Sequence, residues 1–430
     1  MSSPGPNLAR RTAAQWPIAA RPTDALSRTR RDAPHANDPA AGGWTLGADE
    51  SPSLAGVRNR SNNAMTARVL IVAQSAAVRD CHLWRRAMGF DPNIHLVLPG
   101  RRLPEWVIGD GVVDRVTLLP QRTLGSETSR WLVGLDAVIE GVKPDLIHVD
   151  AEAWSFTVQW LVRKGLPVVA HGAENLIVDA PWLYRVRRAG ITTVLRRLAG
   201  YAAWGETSLH ALREAGLPHH VPSVVVPARP PSPAEFRHVP PVERTETVRL
   251  AAVGRFEHAK GFDTIIDGAA QASAQGPVEL HVMGQGPELT RLQELAAKAG
   301  VPVRFYGQGD AEGVASLLAE SDAAVIASRD TRTWSEQWCR VAAEALLVGR
   351  PVFASSSGEL PATVGVPNWI FETDNAHELA LRVNSIRGSE QRSHAFALAV
   401  QQSKRFDLDR YSAELLTFWD TTCSSMVVRR

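Results

Sequence analysis

The stretch that decides the fold reads V-G-R-F-E-H-A-K-G-F-D-T-I-I and spans residues 253–266. An apolar run, Val248–Val253, leads into it, and apolar residues at helical spacing lead out of it. This pattern predicts a strand, a glycine-rich loop and a helix. Arg255 and Lys260 lie in the loop, where the backbone can approach a ligand closely. We expect these two cations at the carboxyl end of a strand, where α/β sheets bind ligands.

The composition narrows the class of protein. A chain of 430 residues with 44% apolar content can bury a large core, and two domains are expected. The net charge of +2 argues against a broad nucleic-acid surface. The three cysteines have no metal-like spacing and favour a reducing compartment. No apolar run approaches the ~18–20 residues of a spanning helix, so we expect a cytoplasmic protein.

The N-terminal part of the chain differs from the rest. Residues 1–64 are rich in Ala, Arg, Pro and Ser without apolar periodicity, which predicts a disordered extension. The first 23 residues carry three arginines and no acid, as transit peptides do. We favour a flexible tail, or a true start at Met65, over a targeting segment.

Beyond Met65, apolar runs alternate with helical patterns in two series separated by the proline-rich segment 226–241. This alternation predicts parallel sheets covered on both faces. We therefore predict an α/β protein with two Rossmann-like domains facing a cleft, at residues 65–235 and 236–405, then a helix over 406–422 and a tail over 423–430. The predicted strands are Arg68–Ala73, Ile94–Leu98, Val116–Leu119, Leu146–Val149, Val168–Ala170, Val248–Val253, Val278–Met283, Val303–Tyr306, Ala323–Ala327 and Pro351–Ala354.

A second motif carries two carboxylates. Glu336 and Glu344 are eight residues apart, and apolar residues from Trp338 onward have helical spacing. With Glu336 at the helix entrance, the pair would lie about 12 Å apart and suit hydroxyl groups at two ends of a long ligand. The helix start would offer N–H groups to an anion. Together with Arg255 and Lys260, the motif fits a diphosphate between two sugar rings, which is the layout of a sugar nucleotide.

In this order and spacing, the motifs resemble the retaining glycosyltransferases of family four, which have the GT-B fold. The resemblance covers residues 66–422. The matching segments are Gly254-Arg255 with Lys260-Gly261, Gly284-Gln285-Gly286-Pro287, Glu336 to Glu344, Gly349–Ser355 and Ser357–Pro361.

The resemblance implies a role for each matching residue. The donor diphosphate would be held by Arg255 and Lys260, the transferred sugar by Glu336, and the ribose by Glu344. His171 would reach the sugar from the first domain, which would bind the acceptor. The remaining donor-binding positions are Gly286, Tyr306 and Gly307, the last two near the base, and the backbone amides of Trp338, Cys339 and Arg340.

Three segments depart from the family pattern. Gln74-Ser75-Ala76-Ala77 replaces a glycine pair after the first strand, Trp338-Cys339 replaces Phe-Gly, and Ala362 stands where a glutamate is common. The Cβ of Cys339 would narrow the sugar pocket. These changes keep open a donor-binding homologue without transfer activity.

The resemblance implies sugar transfer from a nucleotide sugar to a glycan, lipid-linked or small-molecule acceptor, with retention of configuration and without a metal or cofactor. A role in cell-envelope polysaccharide assembly is the family's common use. A sugar-nucleotide epimerase of the same architecture is one alternative. An NAD-dependent enzyme is a remote one, because Gly284-Gln285-Gly286 and Gly307-Gln308-Gly309 both lack the third glycine of a dinucleotide fingerprint.

A basic amphipathic segment, residues 182–198, has two interpretations. Arginines on one helical face would allow peripheral contact with the inner face of the cell membrane. Other arginines interrupt that face, which favours a packed helix with a solvated side.

Overall fold

A computed structural model describes residues 67–74, 81–123, 130–176, 191–241 and 246–428. The predicted N-terminal extension, residues 75–77 of the first loop and residues 182–190 of the basic segment lie outside these ranges. No helix in the described ranges is long and apolar enough to cross a membrane.

The first sheet has seven parallel strands in the order β3-β2-β1-β6-β7-β8-β9. The strands β1 and β6 pair from Val69 with Leu146 to Val72 with Val149. Chain order reverses between these two strands, so their carboxyl ends form the edge at which such sheets open a crevice. The strands are β1 Val69–Val72, β2 Ile94–Pro99, β3 Val116–Leu119, β6 Leu146–Val149, β7 Val168–Gly172, β8 Gly200–Ala203 and β9 Ser223–Val225.

Helices cover both faces of the first sheet, because its strands are apolar on both sides. A short antiparallel pair, β4 Gln121–Thr123 and β5 Arg130–Leu132, lies outside the sheet. The labelled helices of this part are α1 His82–Phe90, α2 Glu105–Gly109, α3 Leu135–Val142, α4 Phe156–Arg163 and α5 Glu206–Glu214.

The second sheet has six parallel strands in the order β12-β11-β10-β13-β14-β15. Its reversal point lies between β10 and β13, which pair at Leu250 with Ala323. The strands are β10 Val248–Val253, β11 Val278–Met283, β12 Val303–Phe305, β13 Ala323–Ile326, β14 Val352–Ser355 and β15 Ile370–Phe371. The helices are α6 Phe262–Ala272, α7 Leu289–Ala299, α8 Ala311–Ala319, α9 Arg340–Val348, α10 Leu360–Val364, α11 Ala376–Asn384, α12 Ser389–Ser403 and α13 Leu408–Val428.

These two parallel sheets confirm the predicted fold class. Every predicted strand is present, with ends displaced by at most two residues. The predicted strand list omits β8, β9 and β15, as well as the β4–β5 pair. The predicted C-terminal tail is wrong, because α13 continues as a helix to Val428.

The terminal helix α13 packs on the first sheet through a chain of buried hydrogen bonds. Trp419 Nε1 donates to His148 Nδ1 at 3.0 Å, which leaves the proton of neutral His148 on Nε2. His148 Nε2 can then donate to His171 Nδ1 at 3.0 Å, and His171 Nε2 to the Val226 carbonyl at 2.7 Å. Burial lowers the pKa of His148 well below its usual value and that of His171 to about 4. Both imidazoles are therefore neutral at pH 7.

The Trp419→Phe variant tests this chain. It removes the proton that Trp419 donates to His148 Nδ1, and a buried acceptor without a donor costs about 1–3 kcal/mol. We expect the free energy of unfolding in urea to fall by at least that much. Trp160→Phe, which changes the same atoms on a half-buried surface, is the matched control. Equal losses in the two variants would contradict the importance of the hydrogen bond.

Candidate functional site

Lys260 and Glu336 meet at the reversal point of the second sheet. Lys260 ends a short 3-10 turn after β10, and its Nζ lies 2.8 Å from Glu336 Oε2. The turn can approach β13 because Gly261 has a positive φ of 62°, and any Cβ there would overlap the Ala327 carbonyl. The two charged residues are 76 positions apart in the chain, so the adjacency of β10 and β13 creates the contact.

This ion pair is largely enclosed. The side chains of Lys260 and Glu336 are 20% and 7% exposed. Ser328 Oγ donates to the same Glu336 oxygen at 2.6 Å, and the Lys260 ammonium lies 4.3 Å from the centre of the Trp334 ring. A buried carboxylate is stable only when such partners replace water. The pair therefore has a fixed geometry.

Polar side chains hold the loop that carries Glu336. Asp330 accepts hydrogen bonds from Ser335 Oγ at 2.6 Å and from Ser357 Oγ at 2.7 Å. The backbone N–H of Glu336 donates to Ser357 Oγ at 3.3 Å. Sequence reasoning missed Ser328 and Asp330. Their position just after β13, at a ligand-binding strand end, is the signal that could have identified them.

Arg255 does not join this ion pair in the structure. Its side chain is 66% exposed and contacts Glu257 at 2.9 Å. It lies on the same glycine loop as Lys260, so the loop presents one enclosed cation and one solvated cation.

The helix of the two-glutamate motif begins later than predicted. α9 starts at Arg340 with Cys339 as its N-cap, so the predicted start at Trp338 is wrong and Glu336 lies in the extended segment before the helix. Glu344 therefore lies about one turn into the helix. Its Oε1 accepts from Arg340 Nε at 2.8 Å, and its side chain is 8% exposed.

Cys339 is a buried thiol at the start of α9. Burial, with a further contribution from Glu336, raises the pKa of this thiol to about 12. It is therefore protonated at neutral pH, which argues against a role as a nucleophile.

The loops after β10, β11 and β12 pack closely on one another. A Cβ at Gly286 would overlap the backbone of Phe256, and the Gly284 N–H donates to the Gly307 carbonyl at 2.7 Å. Tyr306 is 47% exposed, and its hydroxyl lies 2.9 Å from His281 Nδ1. These loops, which carry the predicted donor-binding positions Gly286, Tyr306 and Gly307, form a rim beside the Lys260 loop.

His171 is buried and hydrogen-bonded within the first domain. It is 1% exposed, and both of its ring nitrogens are engaged, one with His148 and one with the Val226 carbonyl. Neither ring nitrogen is available to a sugar in this structure, and the role of His171 toward a ligand stays a prediction.

Two buried carboxyl groups follow β6, and sequence reasoning missed both. Burial raises the pKa of Asp150 to about 6 and that of Glu152 to about 7. Glu152 Oε1 accepts from the N–H groups of Ala173 at 2.8 Å and Glu174 at 3.2 Å. Its Oε2 is enclosed and has no hydrogen-bond partner among the described residues. Glu152 therefore fixes the loop after β7, although burial destabilises the charged form of its carboxyl group.

The Glu152→Gln variant should reveal the cost of this buried charge. Because the folded-state pKa lies above the usual 4.5, wild-type stability falls as pH rises from about 4.5 through 7. Glutamine keeps the acceptor oxygen and carries no charge. As pH rises from 5 to 8, we expect the free energy of unfolding of the variant to increase relative to that of the wild type by up to about 3 kcal/mol, measured by urea denaturation at each pH. Exposed Glu140→Gln is the control, and a pH-independent difference would contradict the assignment.

Comparisons with known proteins show similarity to glycosyltransferases. Residues 235–402 match the family model described as Glycosyl transferases group 1. A glycosyltransferase from Rickettsia africae superimposes with a TM-score of 0.63 at 13% identity, over 83% of this chain and 99% of that one. HepE of Anabaena in complex with UDP superimposes with a TM-score of 0.61 at 18% identity, over 81% of this chain and 98% of that one. The lipopolysaccharide outer core galactosyltransferase WaaB superimposes with a TM-score of 0.57 at 13% identity, over 81% of this chain and 97% of that one. No curated protein matches the sequence.

At identities this low, the structural likeness establishes the fold. The described chain has the GT-B arrangement of two Rossmann-like domains. Residues 235–402 are similar to the group 1 glycosyltransferases, and this match agrees with the group 1 glycosyltransferase resemblance drawn from the sequence motifs.

Proposed function

We propose that this chain transfers a sugar from a nucleotide-diphosphate sugar to an acceptor, with retention of anomeric configuration and without a metal. The observation that carries the proposal is the enclosed Lys260–Glu336 pair at the reversal point of the second sheet. That position is where doubly wound sheets bind nucleotides. The N-terminus of α9 begins four residues after Glu336 and adds a positive dipole end.

Each residue of this site has a proposed role. Lys260, together with Arg255 once its loop meets a ligand, neutralises the diphosphate. Glu336 accepts hydrogen bonds from hydroxyls of the transferred sugar, and Glu344 from the ribose. The chemical task is to stabilise the departing nucleotide diphosphate while positive charge grows on the sugar ring. Cations and a helix N-terminus beside the diphosphate would provide this stabilisation electrostatically.

UDP is the first nucleotide to test. HepE, which shares the fold, has been solved with UDP, with UDP and glucose, and with UDP-glucose. Tyr306 and Gly307 line the rim at which we place the base. The proposal also includes a glycan, lipid-linked or small-molecule acceptor, a role in cell-envelope polysaccharide assembly, and peripheral membrane contact through residues 182–198. In the basic segment, Val194, Leu195 and Leu198 pack into the core, while Arg196 and Arg197 are exposed.

A thermal-shift measurement tests donor binding on the full chain. UDP at 100 times its dissociation constant should stabilise the wild type by ~2.7 kcal/mol. Lys260→Ala should lose most of this effect with UDP, GDP and ADP alike. The control is Lys298→Ala, an exposed lysine on α7. A shift with NAD alone, or with no nucleotide, would contradict the donor site.

Turnover tests the chemistry. We expect Lys260→Ala to lower the rate of transfer by about 10²-fold or more, and proton NMR of the product to show the donor's anomeric configuration. Activity should survive a chelator. Epimerisation of the donor without an acceptor would favour the epimerase alternative. Nucleotide binding without either reaction would favour a donor-binding homologue.

A further inference from the structure

A carboxylate of the second domain caps a helix of the first. Glu359 is 4% exposed. Its Oε1 accepts from the Glu206 N–H at 3.1 Å, and its Oε2 accepts from the Thr207 N–H at 3.0 Å and the Thr207 hydroxyl at 2.6 Å. Glu206 and Thr207 begin α5, whose own N-cap residue is Gly205 with no side chain to cap the helix. Charge-assisted bonds to helix N-terminal N–H groups are among the stronger hydrogen bonds.

Gly205 makes room for this contact. A Cβ at Gly205 would overlap the Glu359 carboxyl group. The first domain therefore supplies both the donors and the space that this carboxylate needs.

The same region holds the backbone of Glu336 from both domains. The Glu336 carbonyl accepts from the Glu359 N–H at 2.9 Å within the second domain. It also accepts from Asn175 Nδ2 at 2.8 Å, and Asn175 belongs to the loop after β7 in the first domain. The side chain of Glu336 meanwhile contacts Lys260.

We propose that Glu359, Thr207 and Asn175 are positioning residues that hold Glu336 in its donor-binding geometry only while the two domains touch. This inference rests on the proposed function and adds to it a coupling between domain contact and the position of Glu336. When the domains separate, the Glu336 carbonyl loses the Asn175 donor and the Glu359 carboxylate loses three donors. The loop that carries Glu336 then has only its second-domain contacts. Productive placement of the sugar therefore requires domain contact, whereas binding of the nucleotide part does not.

The direction of the effect follows from which groups each domain supplies. Lys260, Glu344 and the base rim all belong to the second domain. Loss of the cross-domain contacts should leave their geometry in place, and a displaced Glu336 would compete less with a diphosphate for Lys260, so affinity for UDP alone should not fall. The sugar-facing Glu336 would be displaced, and small displacements in an active site can lower the rate by about 10²-fold.

The test measures kcat, KM and UDP affinity in the full chain. We expect Glu359→Gln and Thr207→Val to lower kcat by roughly 10-fold to 100-fold, with UDP affinity no more than about twofold weaker than that of the wild type, because the groups that would hold UDP lie outside the change. Thr207→Ser keeps the hydroxyl and should restore the rate. Asn175→Ala should act in the same direction through the Glu336 carbonyl. Glu294→Gln, an exposed carboxylate on α7, is the control.

The outcomes distinguish failure of this coupling from failure of the proposed sugar transfer. An active wild type with normal kcat in Glu359→Gln, Thr207→Val and Asn175→Ala would overturn the coupling and leave the proposed transfer intact. A Thr207→Ser variant as slow as Thr207→Val would also overturn it. A wild type that neither binds UDP nor transfers sugar would overturn the proposed function, and the coupling with it.

Discussion

The contact between Lys260 and Glu336 is the interaction on which the proposed site depends. It places opposite charges 2.8 Å apart with little solvent, in surroundings where an unpaired charge would cost several kcal/mol. Removing Lys260 leaves the Glu336 carboxylate enclosed, with Ser328 Oγ still donating to its Oε2. The loops after β10 and β13 therefore have to stay together. Parallel pairing of these two strands in the second sheet keeps them so.

Three other buried polar residues tie distant segments to the sheets. Arg350 is fully buried and donates to backbone carbonyls, among them Val239 at 2.7 Å and Ala319 at 2.6 Å. It thereby anchors the chain that enters the second domain. His148 and His171 do the same for the terminal helix, with Trp419 as the first donor of their chain. Buried polar groups of this kind are tolerated because their hydrogen-bonding capacity is met.

The sequence was sufficient for the elements that carry a strong local signal. Continuous apolar runs such as Val248–Val253 predict buried parallel strands because both faces of the sheet are covered. β8 has a weaker signal, since its residues are Gly-Tyr-Ala-Ala, and the reason is tertiary: a Cβ at Gly200 would overlap the Phe418 ring of α13. Contacts set by strand order, such as Lys260 with Glu336, cannot be found by local spacing. The same holds for His171, because a strand buried on both sides does not show which way a histidine points.

The ion pair also bears on which ligand the site would prefer. In the ligand-free chain Lys260 is neutralised by Glu336, so a diphosphate that approaches Lys260 competes with a carboxylate already in place. A nucleotide without a sugar would weaken that pair and leave Glu336 enclosed with fewer partners, which costs free energy. A complete sugar nucleotide would offer phosphate oxygens to Lys260 and hydroxyl donors to Glu336 together. Under the proposed function this arrangement would favour the whole donor, since a whole donor would replace both halves of the pair.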